Sequence, residues 1–333
     1  MSGSILNKTL YATSRKREIK MGKKVTVQIV TYNSEKDILK CLDSIRKQTY
    51  KNFEVIVIDN KSTDNTVDLF KKESSYSKLI LNTENTGFCK GHNIGFKEGT
   101  GEYVMVLNPD VVLDKNFFEE VVNEMEKDSK IGLISGKILR MSYQFTPTNI
   151  IDSTGIILPR NKRAYDRGQG EEDLGQYDEK RDIFGVCGAA AVYKREMLED
   201  IKIDDEYFDE NFFAYKEDVD LSWRARLFGW KCKYVPAAIA YHHRGWKKSS
   251  RKDQPTWLKI HSIKNRYLMI IKNEKFINLI KNIPWLLVTD VGIFFYCLFK
   301  EPQTLRYIIE TVKLIPSTLK KRKIIQKKAR SIR

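Results

Sequence analysis

Residues 25–66 read VTVQIVTYNSEKDILKCLDSIRKQTYKNFEVIVIDNKSTDNT, and this stretch decides the fold. Its two runs, VTVQIVT (25–31) and FEVIVID (53–59), are short and β-branched, as strands buried on both faces of a parallel sheet are. Between them, Ser34 can cap a helix whose Ile38, Leu42 and Ile45 recur at helical spacing. The second run ends in a polar turn, NKSTDNT, followed by a helix through Val67 and Phe70. The alternation continues with a short strand at 79–81, a glycine-rich loop and helix over 87–101, and the strand EYVMVLN (102–108). A helix over 115–127 and the strand IGLISGKIL come next. Strands alternating with helices of this length predict an α/β fold, a Rossmann-like, doubly wound and mostly parallel sheet. Ligands of such sheets sit beyond the carboxyl ends of the strands, here Thr31-Tyr32-Asn33, Asp59-Asn60 and Asn108-Pro109-Asp110.

Outward from this core the pattern changes. Residues 140–185 are rich in Arg, Asp and Gly and read as loops and hairpins over the sheet. An acidic cluster at 204–220 leads into a helix ending near Gly229, then a strand and the sequence AYHHRGW. Beyond about residue 254 the chain is helical and increasingly basic. Three parts follow: a basic N-terminal segment (1–24), an α/β domain (25–253) and a helical, basic C-terminal extension (254–333). The run from Ile283 to Phe299, interrupted by Asp290, falls just short of the roughly 20 residues a spanning helix needs. It either lies against a membrane or is a core helix.

Composition excludes several classes. The chain has 333 residues, 41% apolar and 31% charged, which rules out a disordered, collagen-like or disulfide-built protein. Its charge of +16 is concentrated at the ends: residues 1–24 carry seven Lys/Arg and one Glu, and residues 320–333 carry eight Lys/Arg and no acid. The body is therefore near neutral. No nucleic acid partner is expected, because a nucleic-acid protein usually carries its basic stripe on the folded face, whereas basic ends suit an anionic membrane surface. Five scattered cysteines without a C-x-x-C pair indicate a reducing compartment. The first 20 residues hold no apolar core of signal-peptide length, so no export signal is expected.

Four groups of residues carry chemistry. Asp110 stands in a turn beyond a strand, where a carboxylate can hold a divalent cation against a diphosphate, although Pro-Asp is also a common β-turn. Asp59 either joins it at the neighbouring strand end or caps the next turn. Glu217, Asp218 and Asp220 open a helix, where acids are favoured by the macrodipole, and one of them can equally serve as a general base. His242 and His243 adjoin on a strand, so they point to opposite faces and at most one would reach a given metal.

The motifs V-x-I-V-T-Y-N (27–33), V-I-D-N-x-S-T-D (57–64), N-T-G-F-x-x-G-x-N-x-G (85–95), L-N-P-D-V (107–111) and E-D-x-D-L-x-x-R (217–224) resemble the inverting family 2 glycosyltransferases. The likeness is to their bacterial rhamnosyltransferase-like branch and runs from about Val25 to Arg266, including K-N-R at 264–266. It implies a GT-A fold and transfer of a sugar, rhamnose in that branch, from a dTDP or UDP donor. The acceptor would be a hydroxyl of a glycan or polyprenyl-linked acceptor in cell-envelope polysaccharide synthesis. By the resemblance, Thr31, Tyr32, Asn33 and Asp59 hold the base and ribose, and Asn85, Gly87 and Asn93 line the nucleotide side. Asp110 is the metal acid for Mg²⁺ or Mn²⁺, and one of His242 and His243 reaches the metal or diphosphate. Asp218 is the base, with Glu217 or Asp220 next in line. Asn108 stands where the family's D-x-D has its first acid, so the metal has one charge fewer to hold it. The rival reading is a catalytically silent scaffold that binds membrane or nucleic acid through its basic ends. A cytoplasmic protein, peripheral at the inner face of the membrane, is expected, with the C-terminal helices lying on lipid or pairing in a homo-oligomer.

Overall fold

In the computed structural model, which describes residues 22–73, 77–244 and 254–331, both quoted runs are strands. The first half alternates as β1 (Val25–Thr31), α1 (Ile38–Arg46), β2 (Phe53–Asp59), α2 (Thr66–Glu73), β3 (Ser77–Leu81), α3 (Gly87–Glu98) and β4 (Tyr103–Leu107). These strands are parallel in the order β3-β2-β1-β4. Val27, Ile29, Ile58 and Leu107 are wholly buried because helices or loops cover both faces. The helix α3 rests closely on the sheet: a Cβ on Gly95 would stand 2.0 Å from Gln28 Oε1.

The second half comprises β5 (Val111–Leu113), α4 (Phe117–Met125), β6 (Ile131–Met141), β7 (Pro147–Ser153), β8 (Ile156–Ile157), β9 (Tyr165–Asp166), β10 (Ala190–Lys194), α5 (Arg195–Ile201), α6 (Glu217–Leu227) and β11 (Lys231–His242). Here antiparallel strands join the parallel ones. The strand β10 inserts antiparallel between β4 and β6, β11 runs parallel to β6, β5 pairs antiparallel with β11, and β7 antiparallel with β6. The sheet is thus mixed, parallel where crossover helices return the chain and antiparallel where it turns back over the carboxyl edge. AAVYK (190–194) gave no strand signal, since its two alanines carry little β preference.

The C-terminal region forms α7 (Thr256–Asn273), α8 (Phe276–Lys300) and α9 (Arg306–Ser331). Leu268, Met269, Ile325 and Ala329 share one buried cluster with Phe208, Leu221 and Trp223, so α7 and α9 are packed on the α/β domain rather than tethered to it. A buried charge cluster joins the same elements. Lys272 pairs with Asp220 at 2.9 Å, and Lys321 with Asp209 at 2.7 Å and Glu206 at 2.7 Å. The apolar run belongs to α8, where only Leu286 and Cys297 are buried, so it is not a core helix. Most of the basic segment 1–24 lies outside the described residues.

Candidate active site

A cavity of about 1060 Å³ opens at the carboxyl edge of the sheet. Asn108 and Asp110, Glu217 and Asp218, and His242 and Arg244 line it from three directions: the turn after β4, the start of α6 and the end of β11.

The turn brings Asp110 and His242 together. Asn108 N–H donates to Ala189 O at 2.9 Å and Asn108 O accepts from Val111 N–H at 3.2 Å, which fixes a tight corner. Pairing of β11 with β5 places His242 opposite Val111, and His243 N–H donates to Asp110 O at 2.8 Å. His242 Nε2 therefore stands 3.2 Å from Asp110 Oδ1, and its Nδ1 2.8 Å from Asp152 Oδ2. Burial favours the neutral ring, but Asp110 and Asp152 hold its proton and push the pKa up to about 9. Burial opposes charge on Asp152, but His242 and then Arg244, whose Nε donates to it at 3.0 Å, hold its carboxyl below the usual range. His243 points the other way, its Nδ1 2.7 Å from Asp37 and its ring stacked on Phe145, away from the Asp110 side chain.

Asp110 Oδ1 is buried and, among the described residues, faces no group but the His242 ring, at 3.2 Å. Among the described residues no three metal-binding side chains converge. Asp110 fits one position of a Mg²⁺ or Mn²⁺ shell, and His242 a second once a cation displaces its Nε2 proton, the rest left to phosphate oxygens and water.

Across the cavity, Asp218 accepts Gly188 N–H at 3.0 Å and Val219 N–H at 2.7 Å. Burial raises the pKa of both Glu217 and Asp218; the neighbouring Asp218 raises Glu217 further, and Asp166 raises Asp218. The two N–H bonds stabilise the charged form of Asp218, while Glu217 Oε2 is buried without a partner. The donors thus favour charge on Asp218, while Glu217, lacking them, has its pKa pushed up to about 8. Asp220 is excluded as the base: it is fully buried on Lys272, Arg224 and Asn273.

The chain reaches α6 through strained backbone. Phe213, Tyr215 and Lys216 have φ of 63°, 74° and 68°, a region where non-glycine residues are uncommon. Asn265 on α7 holds this loop, its Nδ2 donating to Phe212 O at 3.0 Å, Ala214 O at 2.9 Å and Tyr215 O at 2.7 Å. Asn265→Ala is expected to lower turnover by about 10²-fold, the scale of a small misplacement of a catalytic group. Steady-state kinetics beside the melting midpoint check whether the loop shifts without loss of the fold.

Other expected residues lie along the same edge without lining the cavity. Thr31 Oγ1 donates to Asp59 Oδ1 at 2.8 Å, and Ser62 N–H to Asp59 Oδ2 at 2.8 Å, so Asp59 does brace the turn after β2. Asn33 Oδ1 accepts Thr63 N–H at 2.8 Å, and Tyr32 is exposed. Asn85 accepts Gly87 N–H at 3.0 Å. Gly87 has φ of 78° and a Cβ there would lie 2.5 Å from the Phe213 ring, so this position joins the edge to the strained loop. Asn93 departs from the expectation. It is buried and clamps the backbone of Phe208, accepting its N–H at 2.9 Å and donating to its O at 2.9 Å. Sequence reasoning missed Asp152, Gly188, Lys216 and Arg244. Gly188 acts through its backbone N–H, which no side-chain pattern reports.

The model of the family described as glycosyl transferase family 2 matches residues 26–202. Poly-beta-1,6-N-acetyl-D-glucosamine synthase of Staphylococcus epidermidis is 25% identical over 240 residues, 71% of this chain and 53% of that protein. Glycosyltransferase GlyA of Streptococcus pneumoniae serotype 4 is 26% identical over 208 residues, 59% of this chain and 29% of that protein. This chain spans about half the length of the first of these relatives. Among solved structures, Staphylococcus aureus TarS 1–349 superposes with a TM-score of 0.57 at 18% identity, covering 93% of this chain and 87% of that one. A Pyrobaculum calidifontis mannosyltransferase with GDP-Man and Mn²⁺ gives 0.53 at 16% identity, covering 93% and 87%.

Proposed function

The chain belongs to glycosyl transferase family 2, and from that premise we propose that it is an inverting enzyme moving a sugar from a nucleoside-diphosphate donor to an acceptor hydroxyl. Its fold is GT-A, a mixed sheet with helices and a helical C-terminal region. The observation that carries the reading is one cavity with Asp110 and His242 on one wall and Asp218, its charge supported by two N–H donors, on another.

Asp218 takes the acceptor proton as its oxygen attacks the anomeric carbon. The bond to the diphosphate breaks on the opposite face, so the configuration inverts without a covalent sugar–enzyme intermediate. Asp110 and His242 would hold the divalent cation, which supplies charge neutralisation to the departing diphosphate. The Thr31–Asn33 and Asp59 edge, with Asn85 and Gly87, is proposed for the nucleoside. The synthase relative and a TarS structure holding UDP-GlcNAc favour UDP and an N-acetylglucosamine donor, and the motif resemblance favours rhamnose from dTDP. The proposed role is cell-envelope polysaccharide synthesis, with residues 25–253 as the catalytic domain and 254–333 as a packed extension.

Thermal shift against UDP-GlcNAc, dTDP-rhamnose and GDP-Man, each with Mn²⁺, tests the reading. A donor at 100 times its dissociation constant adds about 2.7 kcal/mol of stability. Turnover of no nucleotide sugar would return the chain to a silent scaffold. Asp110→Ala is expected to weaken Mn²⁺-dependent UDP binding by about tenfold or more, since charge-assisted contacts are lost, with little change in the melting midpoint. Equal calorimetric affinity in wild type and variant would remove Asp110 from the metal site.

The reading also places the protein at a membrane surface on the cytoplasmic side. Leu287, Val291 and Phe295 recur every four residues on the exposed face of α8, and each exposed cation of the basic tail, such as Lys323, Lys327 and Arg330, adds about 1 kcal/mol near an anionic leaflet. Sedimentation should carry the full chain down with anionic vesicles at low salt and far less with neutral ones. Lysine at all three positions should leave it in the supernatant. Pelleting of that variant equal to wild type would refute the role.

A further inference from the structure

We propose that Asp166 recognises the sugar being transferred, accepting hydrogen bonds from two neighbouring hydroxyls of its ring, and so selects the donor. The inference deepens the proposed transferase reading and rests on it. In-line displacement leaves the sugar one place to lie, between the groups that hold its diphosphate and the base on the opposite face. Asp166 lines that cavity and is near both walls. On one side Arg244 Nη2, two residues beyond His242, stands 3.7 Å from it. On the other its charge reaches Asp218 and raises the pKa of that carboxyl. None of the steps assigned to Asp110, His242 and Asp218 uses it.

The strand that carries Asp166 is braced. In the pairing of β9 with β8 it stands opposite Ile156, and Arg167 N–H donates to Gly155 O at 2.8 Å. The buried Arg167 guanidinium donates to Thr154 Oγ1 at 2.9 Å, Thr154 O at 3.0 Å and Lys180 O at 2.7 Å. The Tyr177 and Tyr234 rings lie 5.0 Å from it. A carboxylate held by such a frame loses little freedom when it binds. Its accepting capacity is not filled by the protein. Arg244 Nε is committed to Asp152 at 2.9 Å, and Gln169 Nε2 reaches Asp166 only at 3.5 Å. Burial, with Asp152, raises the Asp166 pKa, and Arg244, Ser153 and Lys216 oppose the rise. A carboxylate offers about four lone-pair sites, so room for two hydroxyl donors remains. Asp166 and Asp218 together repel a sugar acid or a phosphate, which leaves a neutral ring with free hydroxyls. A site built to accept hydroxyls also rejects the analogue that lacks one. The pair at C3 and C4 is free on both N-acetylglucosamine and rhamnose.

The test titrates the full chain calorimetrically, with Mn²⁺, against UDP-GlcNAc and UDP and against dTDP-rhamnose and dTDP. Asp166→Ala should weaken the sugar nucleotide that binds by about tenfold or more, the worth of hydrogen bonds to a charged group. Affinity for the matching free nucleotide should stay as in the wild type. Asp166→Asn, which keeps one accepting oxygen, should fall between. The 3-deoxy and 4-deoxy analogues of the same donor should each bind the wild type about tenfold more weakly, and Asp166→Ala no more weakly than the parent donor does. Equal losses for sugar nucleotide and free nucleotide would mean that Asp166 only holds Arg244 in place. Unchanged affinity for both would remove it from the sugar. Either result overturns the proposal. Should Asp166→Ala fail to fold, undiminished binding of both deoxy analogues by the wild type would still overturn it. Failure of the transferase reading looks different, since no nucleotide sugar would then bind or turn over, and it would overturn both.

Discussion

Asp218→Asn is expected to lower sugar transfer by about 10²–10⁴-fold, the usual contribution of a positioned general base, with UDP binding unchanged. The amide keeps the size of the carboxylate and can still accept the Gly188 N–H now bonded at 3.0 Å, but it cannot take the acceptor proton. The pH dependence supplies an independent check. Burial raises both Asp218 and Glu217, and a base works only when ionised. Wild-type turnover should therefore fall on acidification at a pH above the usual carboxylate range, and the variant's residual rate should lack that limb. A variant retaining a tenth of wild-type turnover would move the base to Glu217, the one remaining acid of the three that faces the cavity.

How much of this was legible depends on where each signal resides. The runs at 25–31, 53–59 and 102–108 are continuous apolar segments with polar ends, and burial between helices requires that pattern; the carboxyl edge follows from them. The His242-His243 alternation is likewise a property of strand geometry, and the two rings do turn apart, to Asp110 and to Asp37. Other features depend on contacts that sequence spacing does not encode. Asp152 lies 90 residues from the His242 it orients, and Asn265 reaches back about 50 residues to hold three carbonyls. Asn93 shows the converse error. An asparagine on a glycine-rich helix near a strand end has the chemistry of a ligand contact, and only packing against Phe208 makes it a clamp. The antiparallel β10 carries little local signal, because its two buried alanines have small β preference.

Lys272→Met should destabilise the fold by about 3–5 kcal/mol, the cost of leaving a buried charge without its partner. At about 2.1 cal/mol/K of unfolding entropy per residue, that is a fall of about 4–7 °C in the midpoint. Lys272 is 1% exposed and is shared by Asp209 and by Asp220, which also holds Arg224 at 3.1 Å. Three acids, Glu206, Asp209 and Asp220, meet three cations, Lys272, Lys321 and Arg224, so removing one cation leaves the cluster with an uncompensated negative charge. The sign of the pH dependence follows from Asp209. Burial alone would raise it, but Lys272 and Lys321 hold its carboxyl far below the usual range. A depressed carboxylate contributes stability that is complete above its unfolded pKa and is lost as pH falls through the folded one. The deficit of the variant should therefore be greatest near neutrality and narrow below about pH 4, where Asp209 no longer needs its partner. Calorimetric melting of both proteins from pH 7 to pH 3 measures this gap. A constant gap would mean that the loss does not come from pairing with Asp209. Activity should fall with stability, because Asp220 lies two residues beyond Asp218 on α6 and the cluster sets where that helix begins. Asp220→Asn combined with Lys272→Met restores charge balance and should recover part of the midpoint, which a loss of packing alone would not allow.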